Sequence, residues 1–228
     1  MGTSESKELS VFDPNDLRTW RLAQAERVFE AFASQNYDFG LDKAHLDLLL
    51  SSTVAGISTL ADELWDAFSH PGTPMDGKAM PSMVNALEVV VALGAACVAP
   101  LSAKLHFAFA VFDVDESLEL GRDEAVVMLS SCLAALARLS AVGAPPPDDA
   151  EGEVLAAQLF QHAGKGAVSA VAQCRAGGGD DGATVSAAQF EAWGRGSLAR
   201  NLAARGMAEA LGGETGVRLG GVFALEIY

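Results

Sequence analysis

The chain has 228 residues, of which half are apolar and a fifth are charged, so it has enough apolar material for a core and is not globally disordered. Thirty acidic and fifteen basic residues leave a net charge of −15, which argues against nucleic-acid binding because a phosphate backbone would be repelled. The first ten residues hold no apolar run typical of a secretory signal, and no apolar stretch is long enough to span a membrane. We therefore expect a soluble, cytoplasmic protein.

Helical periodicity dominates the chain, and few segments alternate with period two, so the predicted fold class is mainly α. Apolar residues at i, i+3 and i+4 spacing predict helices, in chain order, in "RLAQAERVFEAFA", "HLDLLLSSTV", "LADELWDAF", "PSMVNALEVVVAL", "AKLHFAFAVF", "EAVVMLSSCLAALARL", "SAAQFEAW" and "SLARNLAARGMAEAL". Two segments interrupt this pattern. A Pro-rich, acidic linker is predicted over 142–153, and a Gly-rich loop over 174–185.

The residues with catalytic or metal-binding potential outside the acidic loop described below form no recognisable constellation. Cys97 and Cys132 lie among apolar residues and are interpreted as core residues of a reducing compartment. The four histidines are scattered, with no i, i+4 pair and no nearby cysteine, which argues against zinc. Because no Ser-His-Asp or Cys-His arrangement stands out, we expect a protein that is not an enzyme.

The segment "FDVDESLELGRDE" (112–124) places six acidic residues directly behind an apolar run. Counted from Asp113, oxygen-bearing residues occupy the ladder positions 1, 3, 5, 7 and 12 of a twelve-residue calcium loop. The predicted calcium ligands are Asp113, Asp115, Ser117, the backbone carbonyl of Glu119, and Glu124. Calcium needs six to eight hard oxygens, and a tightly wound loop supplies them from one short segment. Leu120, at position 8, is expected to pair strand to strand with a neighbouring loop.

The longer segment "KLHFAFAVFDVDESLELGRDEAVVMLSSCL" resembles an EF-hand of the calmodulin superfamily, and its lead-in resembles the third hand of neuronal calcium sensor and calcineurin B-like proteins. The resemblance implies a helix, a calcium loop and a second helix. One position departs from the family pattern, since Leu118 stands where the family has glycine. A sharp turn with φ > 0 is needed there, and leucine costs on the order of 1 kcal/mol or more. Ser117, in place of Asp or Asn, also removes one formal charge.

EF-hands pair because one helix–loop–helix unit cannot bury its own apolar face, so further copies are expected. In "FEAFASQNYDFGLDKAHL", Leu41 is the expected pairing residue, with Ser34, Asn36 and Asp38 at positions 1, 3 and 5. Position 12 is then His45, which cannot chelate as a glutamate does. This first loop is therefore predicted not to bind calcium.

Two more loops are predicted from similar offsets. In the second loop Ala79 is placed at the pairing position, which puts Met83 at position 12. In the fourth loop Val185 is the pairing residue, Gln189 falls at position 12, and only Asp180 occupies a ligand position. Glu124 is therefore the one carboxylate predicted at any position 12.

The predicted organisation is four EF-hand-like units in two lobes, with short loop–loop β pairings. An N-terminal lobe (1–99) holds two degenerate hands, and a C-terminal lobe (100–200) holds one near-intact hand (104–133) and one degenerate hand. A C-terminal helix and apolar tail follow (201–228). Because the residues Val217–Tyr228 are rich in apolar and aromatic side chains, we expect this tail to pack against the protein or a partner.

The function expected from these features is a non-enzymatic protein with at most one calcium site that binds a helical or extended, basic and apolar segment of a larger protein. It would act as a calcium sensor or as a structural subunit. One alternative is a calcium-independent accessory subunit of a cytoskeletal or flagellar axonemal assembly, suggested only by the Ala- and Gly-rich composition. Another is a membrane-recruited calcium switch, because the N-terminus has the M-G-x-x-x-S form of a myristoylation signal at Gly2.

Overall fold

The computed structural model describes residues 19–35, 38–53, 58–75, 78–139, 149–167 and 183–198. These residues form a mainly helical protein with short antiparallel strands, as the sequence predicts. The elements of the first half are α1 (Leu22–Ser34), β1 (Gly40–Leu41), α2 (Lys43–Thr53), α3 (Ser58–Phe68), β2 (His70–Met75), β3 (Lys78–Asn85) and α4 (Ala86–Ala96). Those of the second half are α5 (Leu101–Phe112), β4 (Glu119–Leu120), α6 (Arg122–Leu139), α7 (Asp149–Ala167), β5 (Val185–Ser186), α8 (Ala187–Trp193) and a π-helical turn (Gly194–Leu198). Among the described helices, none is long and apolar enough to cross a membrane.

Local side-chain caps fix where several helices begin. The Asn85 side chain accepts hydrogen bonds from the backbone N–H groups of Leu87 and Glu88, which starts α4 directly after β3. Ser186 caps α8 in the same manner and forms a capping box with Gln189. Strand and helix therefore join without an intervening loop at both places.

The strands form two small sheets that connect the loops in pairs. In the first sheet the order is β1-β3-β2, and Leu41 lies opposite Val84. In the second, β4 pairs with β5 and Leu120 lies opposite Val185. All four of these apolar residues are buried, so each pairing joins two loops through side chains that reach the core.

The core is centred on α4. Ten of its eleven residues are buried, and it packs against α1, α5 and α6. Gly94 permits the close approach of α5, because a Cβ at this position would overlap the ring of Phe107. One cluster of buried side chains extends from Trp20 to Trp193 and includes residues of both predicted lobes. The hydrophobic effect therefore stabilises the described elements of the two halves together.

Two segments differ from the sequence-based prediction. Residues 81–85, predicted as helix, belong to β3, which forms an irregular antiparallel hairpin with β2. The apolar spacing of α4 continues backwards into this strand, and periodicity alone did not locate the boundary. The second segment is α7, which was not among the predicted helices. It begins at Asp149, just after the prolines, so the linker predicted over 142–153 is too long. Proline is tolerated before the first turn of a helix, so prolines in the sequence before Asp149 do not prevent α7 from beginning there.

Several sequence-based predictions concern residues outside the described ranges. They are the myristoylation motif at Gly2, the ligand positions Asn36 and Asp180, the linker residues 142–148, the Gly-rich loop up to residue 182, all but the first two residues of the helix predicted over 197–211, and the apolar tail Val217–Tyr228.

Candidate metal centre

The candidate loop begins where α5 ends. The backbone N–H of Asp113 still donates to the Phe109 carbonyl at 3.0 Å, and a ψ of 68° at Asp113 then turns the chain out of the helix. Asp113 is only 9% exposed. A buried carboxylate is costly unless donors or a cation surround it, so its partners are informative.

The carboxylate of Asp113 organises the loop. Its Oδ2 accepts a hydrogen bond from the Leu118 N–H at 3.0 Å, and its Oδ1 lies 3.3 Å from the Ser117 hydroxyl. The Ser117 N–H donates to Oδ1 of Asp115 at 3.1 Å, and its hydroxyl lies 2.7 Å from the Glu119 carbonyl. Hydrogen bonds from Ser117 also lower the pKa of Asp115, so that carboxylate is held in its charged form. The structure thus brings together four of the five predicted ligand residues.

Glu124, the fifth predicted ligand residue, lies in the first turn of α6. Its Oε2 accepts a hydrogen bond from the Gly121 N–H at 2.8 Å, which caps the start of the helix. Among the described residues, no three His, Cys, Asp or Glu side chains converge closely enough to hold a metal ion. The structure therefore places Glu124 at the end of the loop, with its carboxylate bound to the backbone N–H of Gly121. Its role as a ligand stays a prediction.

Leu118 has the strained backbone predicted for position 6. Its φ is 63°, in the left-handed region, and Glu116 is also left-handed with a φ of 55°. The Leu118 side chain is 74% exposed, so it gains little from packing to offset this strain. The prediction of a sharp turn with positive φ at Leu118 is confirmed. Leucine at this position costs on the order of 1–2 kcal/mol.

The candidate loop is joined to the loop before α8. Leu120 pairs with Val185 as predicted, and the hydroxyl of Thr184 donates to a carboxylate oxygen of Glu119. Four residues after Val185, Gln189 occupies the position that corresponds to Glu124. Its amide oxygen accepts from the Ser186 N–H at 2.9 Å, so this side chain caps α8.

The loop before α2 also has a buried pairing residue, followed four positions later by a residue that helps to cap the next helix. Leu41 is the pairing residue, as predicted, and its partner is Val84. His45 lies four residues further on, where its N–H and its Nδ1 contact Oδ1 of Asp42 at 2.8 and 2.9 Å. The hydrogen bond from the His45 backbone is the largest influence that lowers the pKa of Asp42. An exposed histidine and aspartate therefore cap α2, in the place where a calcium loop would carry a bidentate glutamate.

The predicted register of the second loop is wrong. Ala79 is not opposite Leu41. The pairing residue is Val84, five residues later. The position that corresponds to Glu124 is consequently Glu88, not Met83, and Glu124 is not the only carboxylate at such a position. The irregular β2–β3 hairpin lengthens this loop, so offsets taken from a regular twelve-residue loop misplace it.

Glu88 faces a guanidinium group. Its Oε2 lies 3.5 Å from Nε of Arg138, which comes from the last turn of α6. Sequence reasoning missed this contact, because Glu88 and Arg138 are distant in the chain and each is surrounded by apolar residues that indicated only a buried helix. The signal available was the presence of one charged residue in each apolar stretch, since such residues are seldom buried without a partner.

A buried amine was also missed. Lys104 of α5 donates from Nζ to the carbonyl of Ala95 at 2.7 Å, and burial lowers its pKa. It lines an apolar cavity of about 40 Å³ between α4, α5, α6 and α8. A cavity of this size has room for water molecules but not for an apolar anchor of a partner.

The donor chemistry of the candidate loop suits a hard cation. Carboxylate, hydroxyl and carbonyl oxygens are the ligands that calcium prefers, and the loop offers no sulfur or imidazole donor. Neither a comparison with protein-family models nor a search of curated proteins finds a match to this chain. The residues and geometry of the loop are consequently the basis for assigning a function.

Proposed function

We propose that the chain is a non-enzymatic EF-hand protein that binds one calcium ion in the loop Asp113–Glu124 and docks a segment of a larger protein. The observation that carries the proposal is the arrangement of this loop, in which Ser117 is hydrogen-bonded to Asp113, Asp115 and Glu119 beside a left-handed turn. Calcium bound there would be held by these residues together with Glu124. Its charge would link the end of α5 to the first turn of α6.

The order of elements supports this assignment. A helix, a short strand and a second helix recur four times along the described chain, and the second unit carries a hairpin in place of a single strand. The four loops are joined two by two through antiparallel pairs, Leu41 with Val84 and Leu120 with Val185. Pairing of this kind lets each unit bury an apolar face that it could not bury alone.

The corresponding positions in the other three loops support a single calcium site. His45 contacts Asp42, Glu88 contacts Arg138, and Gln189 caps α8. Only Glu124 combines a carboxylate with a ladder of oxygen-bearing residues before it. Three loops without metal chemistry favour a structural subunit over a cooperative sensor, because cooperative sensing needs coupled sites.

The proposed partner is a basic and apolar helical or extended segment of another protein. A net charge of −15 would attract such a segment and repel nucleic acid. Association with a membrane would require acylation at Gly2, since an acidic surface gives a single acyl chain no electrostatic support.

Calcium titration followed by backbone amide NMR tests the proposal. We expect amides of residues 113–124 and of the paired residues 185–186 to shift, with a large change at Gly121, whose N–H contacts the Glu124 carboxylate. Amides near His45 and Gln189 should show no separate binding event. A uniform absence of shifts at millimolar calcium would refute calcium binding. Shifts confined to scattered surface carboxylates would refute the assigned loop.

A further inference from the structure

Arg138 lies at the centre of a partly buried cluster formed by residues from both halves of the chain. Its Nη1 donates to the carbonyl of Ala67 at 2.9 Å, and its Nη2 lies 2.7 Å from Nε2 of His70. Its guanidinium carbon lies 5.5 Å from the centre of the Phe68 ring, within the range of a cation–π contact. Nε is directed at Glu88. Contacts with three different elements fix the position of this cation.

The Glu88–Arg138 pair is shielded from solvent. The side chain of Arg138 is 18% exposed and that of Glu88 is 13% exposed. Within the described structure, Oε2 of Glu88 and Nε of Arg138 are both enclosed and have no hydrogen-bond partner. The basic groups that face this oxygen are Nε of Arg138 at 3.5 Å and Nε2 of His70 at 3.9 Å, and the guanidinium is the one that is always charged. Burial raises the pKa of Glu88 and lowers that of Arg138, and the opposite charge of the partner counteracts the shift in each case.

The position of Glu88 in the second loop corresponds to that of Glu124 in the candidate calcium loop. Glu88 follows the pairing residue Val84 by four residues, as Glu124 follows Leu120. We propose that the guanidinium of Arg138 is a resident cation that takes the place of a metal ion at Glu88 and clamps α4 against α6. The equivalence with a metal site rests on the proposed function, whereas the clamp itself is a property of the fold.

The clamp explains why the second loop needs no calcium. A guanidinium stays charged at all physiological pH values and is tethered to α6, so its occupancy does not depend on an ion concentration. The same helix carries Glu124 in its first turn, so the candidate calcium loop and the clamp act on opposite ends of α6. Arg138 is thus a positioning residue that keeps α4 and α6 together whether or not calcium is present.

A double-mutant cycle in chelator tests the clamp. We would measure urea unfolding of the full chain for the wild type, Arg138→Met, Glu88→Gln and the double variant. Arg138→Met should lower the equilibrium constant for folding at least about tenfold, because it leaves an enclosed carboxylate without its cation. The two effects should be non-additive by a factor of about five or more. Arg138→Lys should recover part of the loss, since an ammonium supplies the charge but not the planar contacts.

The exposed pair of Lys43 and Asp62 in the same chain is the matched control, since their side chains are 48% and 63% exposed. A cycle of Lys43→Met and Asp62→Asn should be additive within about twofold, because solvent screens exposed pairs. If the variants at 138 and 88 do not fold, Arg138→Lys and Glu88→Asp provide a milder cycle.

Coupling no larger than that of the control pair would overturn the clamp. Since every measurement is made in chelator, this result would be independent of whether the loop Asp113–Glu124 binds calcium. A calcium titration of the wild type tests the other part of the proposal, and we expect no calcium ion to bind at Glu88. A second calcium ion bound by the wild type at Glu88 would overturn the resident-cation assignment, even if the clamp were confirmed.

Discussion

Replacing Leu118 with glycine should stabilise the candidate calcium loop. With a φ of 63°, Leu118 holds a backbone conformation that costs an L-amino acid roughly 1–2 kcal/mol, and its side chain is 74% exposed. Glycine adopts this conformation without steric cost but loses about 0.5–1 kcal/mol more conformational entropy on folding. The expected net gain in the free energy of unfolding is therefore about 0.5–1 kcal/mol.

The same substitution should tighten calcium binding if part of the strain is relieved only when the loop closes around the ion. Recovery of about 1.4 kcal/mol at the binding step would increase the affinity tenfold, which is the upper limit of the expected effect. Leu118→Ala is the control, because alanine removes most of the side chain and retains the Cβ that causes the strain. It should change neither stability nor affinity appreciably.

Urea unfolding in chelator measures the first effect, and isothermal titration with calcium measures the second. The reasoning about strain would be refuted if Leu118→Gly matched Leu118→Ala in both assays. A gain in stability without a gain in affinity would show that the strain is already overcome when the loop folds.

Two further predictions concern packing and pH. Gly152→Ala should destabilise the protein by about 1–3 kcal/mol, because the added Cβ would overlap the Ser130 hydroxyl where α7 meets α6. Gly164→Ala in the same helix has open space around the added Cβ and should stabilise the protein by about 0.5–1 kcal/mol. Thermal unfolding of both variants measures these effects, and equal effects would contradict the packing of α7 against α6. Burial, and then the charge of Arg138, lower the pKa of His70 below its usual 6.5. Protonation of His70 therefore favours the unfolded state, and the free energy of unfolding should fall as pH decreases below about 6.5. His70→Gln should lose less stability than the wild type between pH 7.5 and 5, and parallel plots of unfolding free energy against pH would contradict this.

Local sequence patterns were sufficient to predict most of the helices and one of the two strand pairings. Apolar spacing in α1, α5 and α6 depends on a single stripe that faces the core, and such a stripe is visible without tertiary information. Leu120 was recognisable because its loop has the regular oxygen ladder. Leu41 was recognisable by its offset from the preceding helix.

The pairing register of the second loop could not be predicted from the sequence, for a physical reason. The β2–β3 hairpin adds residues whose pairing depends on contacts with β1, and no regular spacing marks the resulting shift from Ala79 to Val84. The partner of Glu88 is likewise set by how α6 packs across α4. Long-range contacts of this kind leave no local pattern, so the cluster around Arg138 emerged only from the structure.

The central claim is that one calcium ion binds between Asp113 and Glu124. Isothermal titration of the full chain with calcium, with and without magnesium, tests it most directly. We expect a stoichiometry near one for the wild type and no calcium heat for Glu124→Gln, which retains the shape of the side chain but lacks the carboxylate that would complete the site. A wild-type chain that gives no heat, a stoichiometry near two, or a Glu124→Gln variant that binds as tightly as the wild type would contradict the claim.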